Sequence, residues 1–324
     1  MTKKFNELAK GLAQSVTRRQ ALKRFGIGLA GIPLVCFGLA SNLALGAPTY
    51  TTIDYPGSPG TLAVDINDSG QIVGEYLYGP TLGQRGGYLL SNGVFTPIAY
   101  PGATFTRALG INRYGDTVGD HQKEGNNNGS GNEFGYLLKN GIFTNIQFPN
   151  SELTIACGIN SSDDIVGWYN DKQGTHGFLL HSGVYTSIDF PGAAAFTQAW
   201  KINDSGEIVG RYTGADDGRH HVFILSNGIF TAVPDVPGST ETAVIEVGGL
   251  NSTGAIVTQY CSGKSCGLGS VGDVHGFLLS GGVYTSFDFP NAALTMAFGI
   301  NSYHIIVGGY QDSSGAYHGY LRTP

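Results

Sequence analysis

Ile202-Asn203-Asp204-Ser205-Gly206-Glu207-Ile208-Val209-Gly210 is one copy of a pattern that occurs six times in this chain. An apolar residue and Asn come first, a short polar turn follows, and an apolar pair and Gly close it. The pattern reads as two strands joined by a tight turn, with Asn and Gly expected to take the positive φ angles that such a turn needs. The copies lead into Asn67, Asn112, Asn160, Asn203, Asn251 and Asn301, which are 45, 48, 43, 48 and 50 residues apart. Seven residues after each Asn stands Gly74, Gly119, Gly167, Gly210, Thr258 or Gly308.

A second strand pair follows in each unit. His176-Gly177-Phe178-Leu179-Leu180, a turn at Ser182-Gly183, and Val184 to Pro191 form the clearest copy, with Tyr88, Tyr136, Phe223, Phe277 and Tyr320 marking the others. Four short strands in a unit of this length, repeated, is the arithmetic of a β-propeller blade. The sixth unit stops one strand short at Leu321, while Tyr50 to Gly57 is a fourth strand with no unit before it. The expectation is therefore an all-β, six-bladed propeller of four-stranded blades over residues 47–324, closed by the N-terminal strand (about 50–57) pairing into the last blade. Closure removes the long open edge that a solenoid would have to cap, and no capping unit is visible. Gly at 51 of 324 residues, without a Gly-X-Y period, fits a chain of many tight turns, and 17 Tyr with 17 Phe exclude a disordered one.

The units resemble the HAF repeats of extracellular bacterial repeat proteins, over residues 50 to 323, although the second motif position is mostly Gly, as in His176-Gly177-Phe178 and His275-Gly276-Phe277. That resemblance implies an exported repeat protein and no particular reaction.

The formal net charge of −6 averages two unlike parts. Residues 1–46 carry seven basic groups (Lys3, Lys4, Lys10, Arg18, Arg19, Lys23, Arg24) and one acid, Glu7, so the remainder holds 11 basic against 23 acidic groups, net −12. An acidic body disfavours nucleic acid, whose affinity comes from Lys and Arg on phosphates. The basic head, the apolar run Phe25 to Leu45 and the small residues Ala44 to Ala47 follow the order of an export signal peptide. Thr17-Arg18-Arg19-Gln20-Ala21-Leu22-Lys23 resembles the twin-arginine motif, with Ala21 where that motif prefers Phe. The reading is a periplasmic or secreted protein, without membrane contact once the signal is cleaved and without a cofactor, acting as a monomer on an envelope or extracellular ligand. A retained transmembrane anchor is the alternative, because about 20 apolar residues can span a bilayer. Cys261 and Cys266 could close a small disulfide loop in an oxidising compartment, and Cys157, at a position otherwise held by Val, Leu, Trp or Phe, reads as a buried small hydrophobe.

The spacing locates a site. The connection between second and third strands varies from 10 residues (Gly167 to Gly177) to 18 (Thr258 to Gly276), while the other spacings scarcely change. Variable loops on a rigid scaffold are where binding and catalysis sit. The residue before Ile-Asn is Gly in four units but Asp65 in the first and Lys201 in the fourth, opposite one another in a ring of six. At the expected mouth stand Leu62, Arg107, Ile155, Gln198, Glu246 and Met296. Arg107, Gln198, Glu246, Asp65, Lys201 and Trp200 are thus the candidates for holding a saccharide or peptide.

Other motifs carry less. His176, His221, His275 and His318 recur at one repeat position and read as hydrogen-bonding residues rather than metal ligands. Asp65 to Gly70 has the look of a calcium loop but coincides with the repeated turn and lacks the Glu at loop position 12. No metal site is expected. No carboxylate pair stands out beyond the loop residues Asp163-Asp164 and Asp216-Asp217, nor does a Ser-His-Asp order, P-loop or Gly-x-Ser-x-Gly, so a binding scaffold is favoured over a propeller enzyme acting on extracellular polysaccharide. A site assembled from several blades would leave no local signature.

Overall fold

The computed structural model describes residues 47–79, 84–123, 133–242, 248–263 and 273–324. They belong to one compact unit of the chain, Leu45–Pro324; the signal segment and its Arg18 and Arg19 lie outside the described residues, as do Glu246 and Cys266. All regular structure among the described residues is β.

After β1 (Thr49–Ile53) the repeats give four strands each, apart from the last. The first repeat is β2 (Thr61–Ile66), β3 (Ile72–Leu77), β4 (Arg85–Ser91) and β5 (Val94–Ile98), and the second β6 (Ala103–Ile111), β7 (Thr117–Lys123), β8 (Glu133–Lys139) and β9 (Ile142–Ile146). The third is β10 (Leu153–Ile159), β11 (Ile165–Asp171), β12 (Gly174–His181) and β13 (Val184–Ile188); the fourth is β14 (Ala193–Ile202), β15 (Ile208–Gly214), β16 (His220–Ser226) and β17 (Ile229–Ala232). The fifth has β18 (Glu241–Thr242), β19 (Ile256–Cys261), β20 (Val274–Ser280) and β21 (Val283–Phe287). The sixth has β22 (Leu294–Ile300), β23 (Ile306–Gln311) and β24 (Tyr317–Thr323).

Each repeat is an antiparallel sheet in chain order, and β1 takes the fourth place in the sixth, running from Thr49 opposite Thr323 to Ile53 opposite Gly319. The third and fourth sheets touch through one parallel pair, Thr175 and Phe196. Strands that alternate in direction put the Asn turns and the outer hairpins on one side of the molecule. The variable loops and the connections between repeats lie on the other, the loop side. The outer hairpins are two-residue turns with both residues at positive φ, as in Asn92-Gly93 (51° and 79°) and Ser182-Gly183 (49° and 79°).

The Asn residues do more than turn the chain. None is at positive φ; that angle falls three residues later, on Gly70, Gly115, Gly206 and Gly254, and on Asp163 (63°) and His304 (60°) where Gly is missing. Each Asn is buried, and its Oδ1 accepts the backbone N–H groups two and four residues on, as from Ser162 and Asp164 to Asn160, both at 2.9 Å. Its Nδ2 donates to the backbone carbonyl of the Asn in the next repeat. The chain of these bonds runs Asn67, Asn112, Asn160, Asn203, Asn251, Asn301 and back to the Asn67 carbonyl at 3.0 to 3.4 Å.

A second join lies between repeats on the loop side. At five of the joins an aromatic residue followed by Pro donates its N–H to the Thr that opens the next repeat, as Tyr55 to Thr61 and Tyr100 to Thr106, both at 2.9 Å. Its ring stacks on the aromatic residue of the next second strand: Tyr55 on Tyr76, Tyr100 on His121, Phe148 on Tyr169, Phe190 on Tyr212 and Phe289 on Tyr310, with centroids 3.5 to 3.7 Å apart. Each such pair contributes about 0.5–1.5 kcal/mol beyond the area it buries.

Cutting one link of the Asn chain tests its weight. Asn160→Ala removes four hydrogen bonds from a buried position and leaves the N–H groups of Ser162 and Asp164 without their acceptor, so it should cost about 2–4 kcal/mol in urea unfolding. Asn160→Asp, which keeps the acceptor, should cost less; a loss below about 0.5 kcal/mol for Ala would show that the links are incidental.

Candidate functional site

Every regular first strand carries a β-bulge at one repeat position. The register slips between Ala63 and Asp65, Ala108 and Gly110, Ala156 and Gly158, Ala199 and Lys201, and Ala297 and Gly299. A bulge re-aims the extra residue, here Val64, Leu109, Cys157, Trp200 and Phe298. Val64, Leu109, Cys157 and Trp200 come together in one buried apolar cluster that also takes in Leu250 and Ile256 and so draws on five repeats, with Leu62, Leu153 and Trp168 against it. The second-strand Gly lies behind the bulge: a Cβ at Gly74, Gly119, Gly167, Gly210 or Gly308 would stand 1.9 to 2.2 Å from a first-strand carbonyl oxygen. Cys157 is buried and outside any disulfide, as its repeat position suggested, while Cys261 is disulfide-bonded.

Next to this cluster the Gly residues before Ile-Asn bring first strands into contact; a Cβ at Gly110 would meet the Cys157 carbonyl at 2.7 Å. Asp65 and Lys201, which replace that Gly, reach each other. Lys201 Nζ is 2.9 Å from Asp65 Oδ2 and donates to the carbonyls of Leu109 (2.6 Å) and Cys157 (3.3 Å), while Asp65 accepts the Ile111 N–H at 3.1 Å. Four repeats are thereby tied by one ion pair between the buried Lys201 and the half-buried Asp65.

Toward the loop side, the mouth positions lie opposite a second variable row. Leu62 pairs with Glu75, Arg107 with Asp120, Ile155 with Trp168, Gln198 with Arg211 and Met296 with Gly309. Arg107 grips Asp120 with Nε to Oδ1 at 2.9 Å and Nη2 to Oδ2 at 3.0 Å, and Glu133 stands 3.7 Å from Nη2. Arg85 donates to both oxygens of Glu75 at 3.0 and 3.1 Å. Gln198 Oε1 accepts from Trp200 Nε1 at 3.1 Å and Arg211 Nε at 2.8 Å. The guanidiniums of Arg107 and Arg211 lie over Phe105 and Phe196, 5.9 and 5.3 Å from the ring centroids. The Trp168 indole N–H is buried without an acceptor.

Of the six candidates, then, Asp65 and Lys201 pair with each other, Gln198 and Trp200 pair with each other, and Arg107 pairs with a residue not singled out from sequence. The missed residues, Glu75, Asp120, Trp168, Arg211 and Gln259, occupy the place after Val-Gly or its equivalent, which differs in every repeat. That difference within an otherwise repeated phrase was the signal available.

Burial raises Asp120, which has no exposed surface, to about 7; Glu133 and Glu75 add to the rise and Arg107 opposes it. His220 is lowered to about 4 by burial first, then by Arg211 and His221. The repeated His residues pair with repeated Asp residues: His176 with Asp189 at 2.6 Å, His221 with Asp235 at 3.2 Å, His275 with Asp288 at 3.0 Å and His318 with Asp54 at 2.8 Å. Burial works against the charged form of His221 and His318, but hydrogen bonds and charge from their Asp partners prevail and raise both. Among the described residues no group of three His, Cys, Asp or Glu side chains is placed to hold a metal. The Asp65 to Gly70 turn is held by Asn67 itself, which accepts from Ser69 and Gln71. On the turn side, a small cavity of about 100 Å³ lies inside the Asn chain, floored by Ile residues, with Asp68, Arg113 and Asp204 at its rim.

No family model matches the chain, and no curated protein matches it. Solved structures do. A putative TolB from Agrobacterium tumefaciens is 15% identical with a TM-score of 0.55, covering 81% of this chain and 89% of its own. A mutant of AofleA from Arthrobotrys oligospora, with three of its arginines replaced by alanine, is 10% identical with a TM-score of 0.51, covering 85% and 86%. TolB from Acinetobacter baumannii, also at 10% and 0.51, is matched over 79% of this chain and 64% of its own length, so this chain spans just under two thirds of it. Likeness at such identities shows the fold alone: an all-β chain of antiparallel sheets with β-propeller-like neighbours.

Two measurements probe this axis. Lys201→Met leaves Asp65 buried without its cation and should cost about 3–5 kcal/mol, while Asp65→Asn with Lys201→Met should recover most of that; equal losses would refute the pairing. Asp120 holds its proton in the folded chain up to about 7, whereas the unfolded chain releases it near 3.8. Its contribution is therefore full below about pH 4 and is lost as pH rises toward 7. Asp120→Asn should flatten that part of the stability profile, and an unchanged slope would contradict the assignment.

Proposed function

We propose that this chain is an exported six-bladed β-propeller, closed by β1 in the last blade, that binds a saccharide or peptide where its axis opens on the loop side. The closed ring is supported by the Asn links that return to Asn67, by the β1–β24 pairing and by His318 against Asp54, two residues from opposite ends of the described chain. Export is supported by the basic head with Arg18 and Arg19 and the apolar run after it. No helix among the described residues is long and apolar enough to cross a membrane.

The observation that carries the binding reading is the pair of rows, cross-strand neighbours on the first and second strands, that differ in every repeat. Structural demand is the same in each repeat, so residues that differ from repeat to repeat are free to serve a ligand. Arg107, Asp120 and Glu133 on one side, and Gln198, Arg211 and Phe196 on the other, give it charged, amide and aromatic partners. Gln198 and Trp200 enter as a joined pair, and Asp65 with Lys201 as the support beneath. A second reading, an enzyme acting on extracellular polysaccharide, is favoured by Asp120 held near neutrality beside Glu133 and Glu75. One structural neighbour, Hadza microbial sialidase Hz136, is named for such a class; it is 12% identical with a TM-score of 0.53, covering 82% of this chain and 65% of its own.

The test applies the full chain to glycan and peptide arrays and to a panel of glycosidase substrates. The expected result is saturable binding without turnover, weakened at least about tenfold (about 1.4 kcal/mol) by Gln198→Ala combined with Glu133→Gln. Turnover abolished by Asp120→Asn would establish the enzyme reading instead, and binding indifferent to these variants would move the site elsewhere.

A further inference from the structure

A cavity of about 510 Å³ lies beside the sixth Asn turn, lined by Ala47, Pro48, Leu278, Tyr303, His304, Arg322 and Pro324. Its volume falls in the range of small-molecule sites, and its lining is drawn from the fifth and sixth repeats and the two ends of the described chain. Arg322 lies over Phe287, with its guanidinium carbon 4.9 Å from the ring centroid, and its Nε is buried with no hydrogen-bond partner. No ion pair of Arg322 occurs among the described residues, which sets it apart from Arg85 and Arg107, each held by a carboxylate. A cation stacked on a ring and short of an acceptor is a place for an anionic oxygen.

We propose that this cavity is a second ligand site, for a sugar residue bearing a carboxylate, a uronate. The carboxylate takes the Arg322 guanidinium. The C–H face of the pyranose lies on Tyr303, which is 63% exposed and so presents a free aromatic surface. Hydroxyls meet His304, held at the turn by its positive φ of 60°. The remaining wall, Ala47, Pro48, Leu278 and Pro324, is apolar. A peptide carboxyl terminus would bring amide groups that this wall leaves unpaired, whereas a pyranose keeps its polar groups at its rim. The site is separate from the loop-side opening, because Tyr303 and His304 belong to the turn after Asn301.

The test is calorimetric and NMR titration of the full chain with D-glucuronate and D-galacturonate, with D-glucose and an N-acetyl dipeptide carboxylate as comparisons. A uronate should bind saturably and at least about tenfold tighter than glucose and the dipeptide. Arg322→Gln should weaken it at least about tenfold, and Tyr303→Ala, at an exposed position that leaves the fold intact, about fivefold. Gln198→Ala at the loop-side opening should leave it unchanged. Glucose binding as tightly as a uronate would overturn the proposal, as would preference for the dipeptide, indifference to Tyr303→Ala, or loss of binding in Gln198→Ala.

Discussion

A tight turn between two strands leaves backbone N–H groups aimed at its own centre, and burying them without acceptors would cost about 1–3 kcal/mol each. In this chain one side chain per repeat answers that demand. The Asn carboxamide has an acceptor and two donor hydrogens in one plane, so it can satisfy two N–H groups of its own turn and still donate to the next repeat. The same atoms that hold the turn therefore hold the neighbouring sheet, as Asn160 does for Ser162, Asp164 and the Asn203 carbonyl. Asp lacks the donor, Ser lacks the reach, and only Gln offers the same chemistry at a length that would push the sheets apart. That residue type has no substitute here.

This explains why the repeat was easy to see in the sequence and why its meaning was partly misread. Asn followed by Gly suggested a turn in which both take positive φ, yet the strain falls on Gly70 and its equivalents, and twice on Asp163 and His304. The strand count, the join of Tyr50 to the last repeat's sheet and the Cys157 burial followed from periodicity, which is a local property. The bulges did not, because each bulged copy carries its extra residue at the same aligned place, so the spacing between copies does not reveal it. Only pairing partners reveal that Val64 or Trp200 is the residue displaced.

The same limit applies to the loop-side opening. Arg107 and Gln198 were visible as departures from an apolar repeat position. Asp120 and Arg211 were not, since their significance depends on cross-strand register rather than on sequence distance. Asp65 and Lys201 stand in the first and fourth repeats, far apart in sequence, and meet because the first strands of the repeats between them lie close together. Opposite charges at equivalent positions of the first and fourth repeats are legible as an oddity in the sequence, and in the structure they form an ion pair.

The order of these interactions along the axis has a consequence for recognition. The Asn links and the apolar cluster around Trp200 are buried, and the largely buried Asp65–Lys201 pair lies beside them, so the polar groups there already have partners. Above them Arg107 holds Asp120 through two nitrogens, with Glu133 3.7 Å away, and the buried Trp168 N–H has no acceptor. On the proposed binding reading, a ligand there would meet side chains already fixed by their neighbours, such as Gln198 held by Trp200 and Arg211. Groups fixed in this way lose little side-chain freedom on binding, which is the condition under which a few polar contacts can give useful affinity.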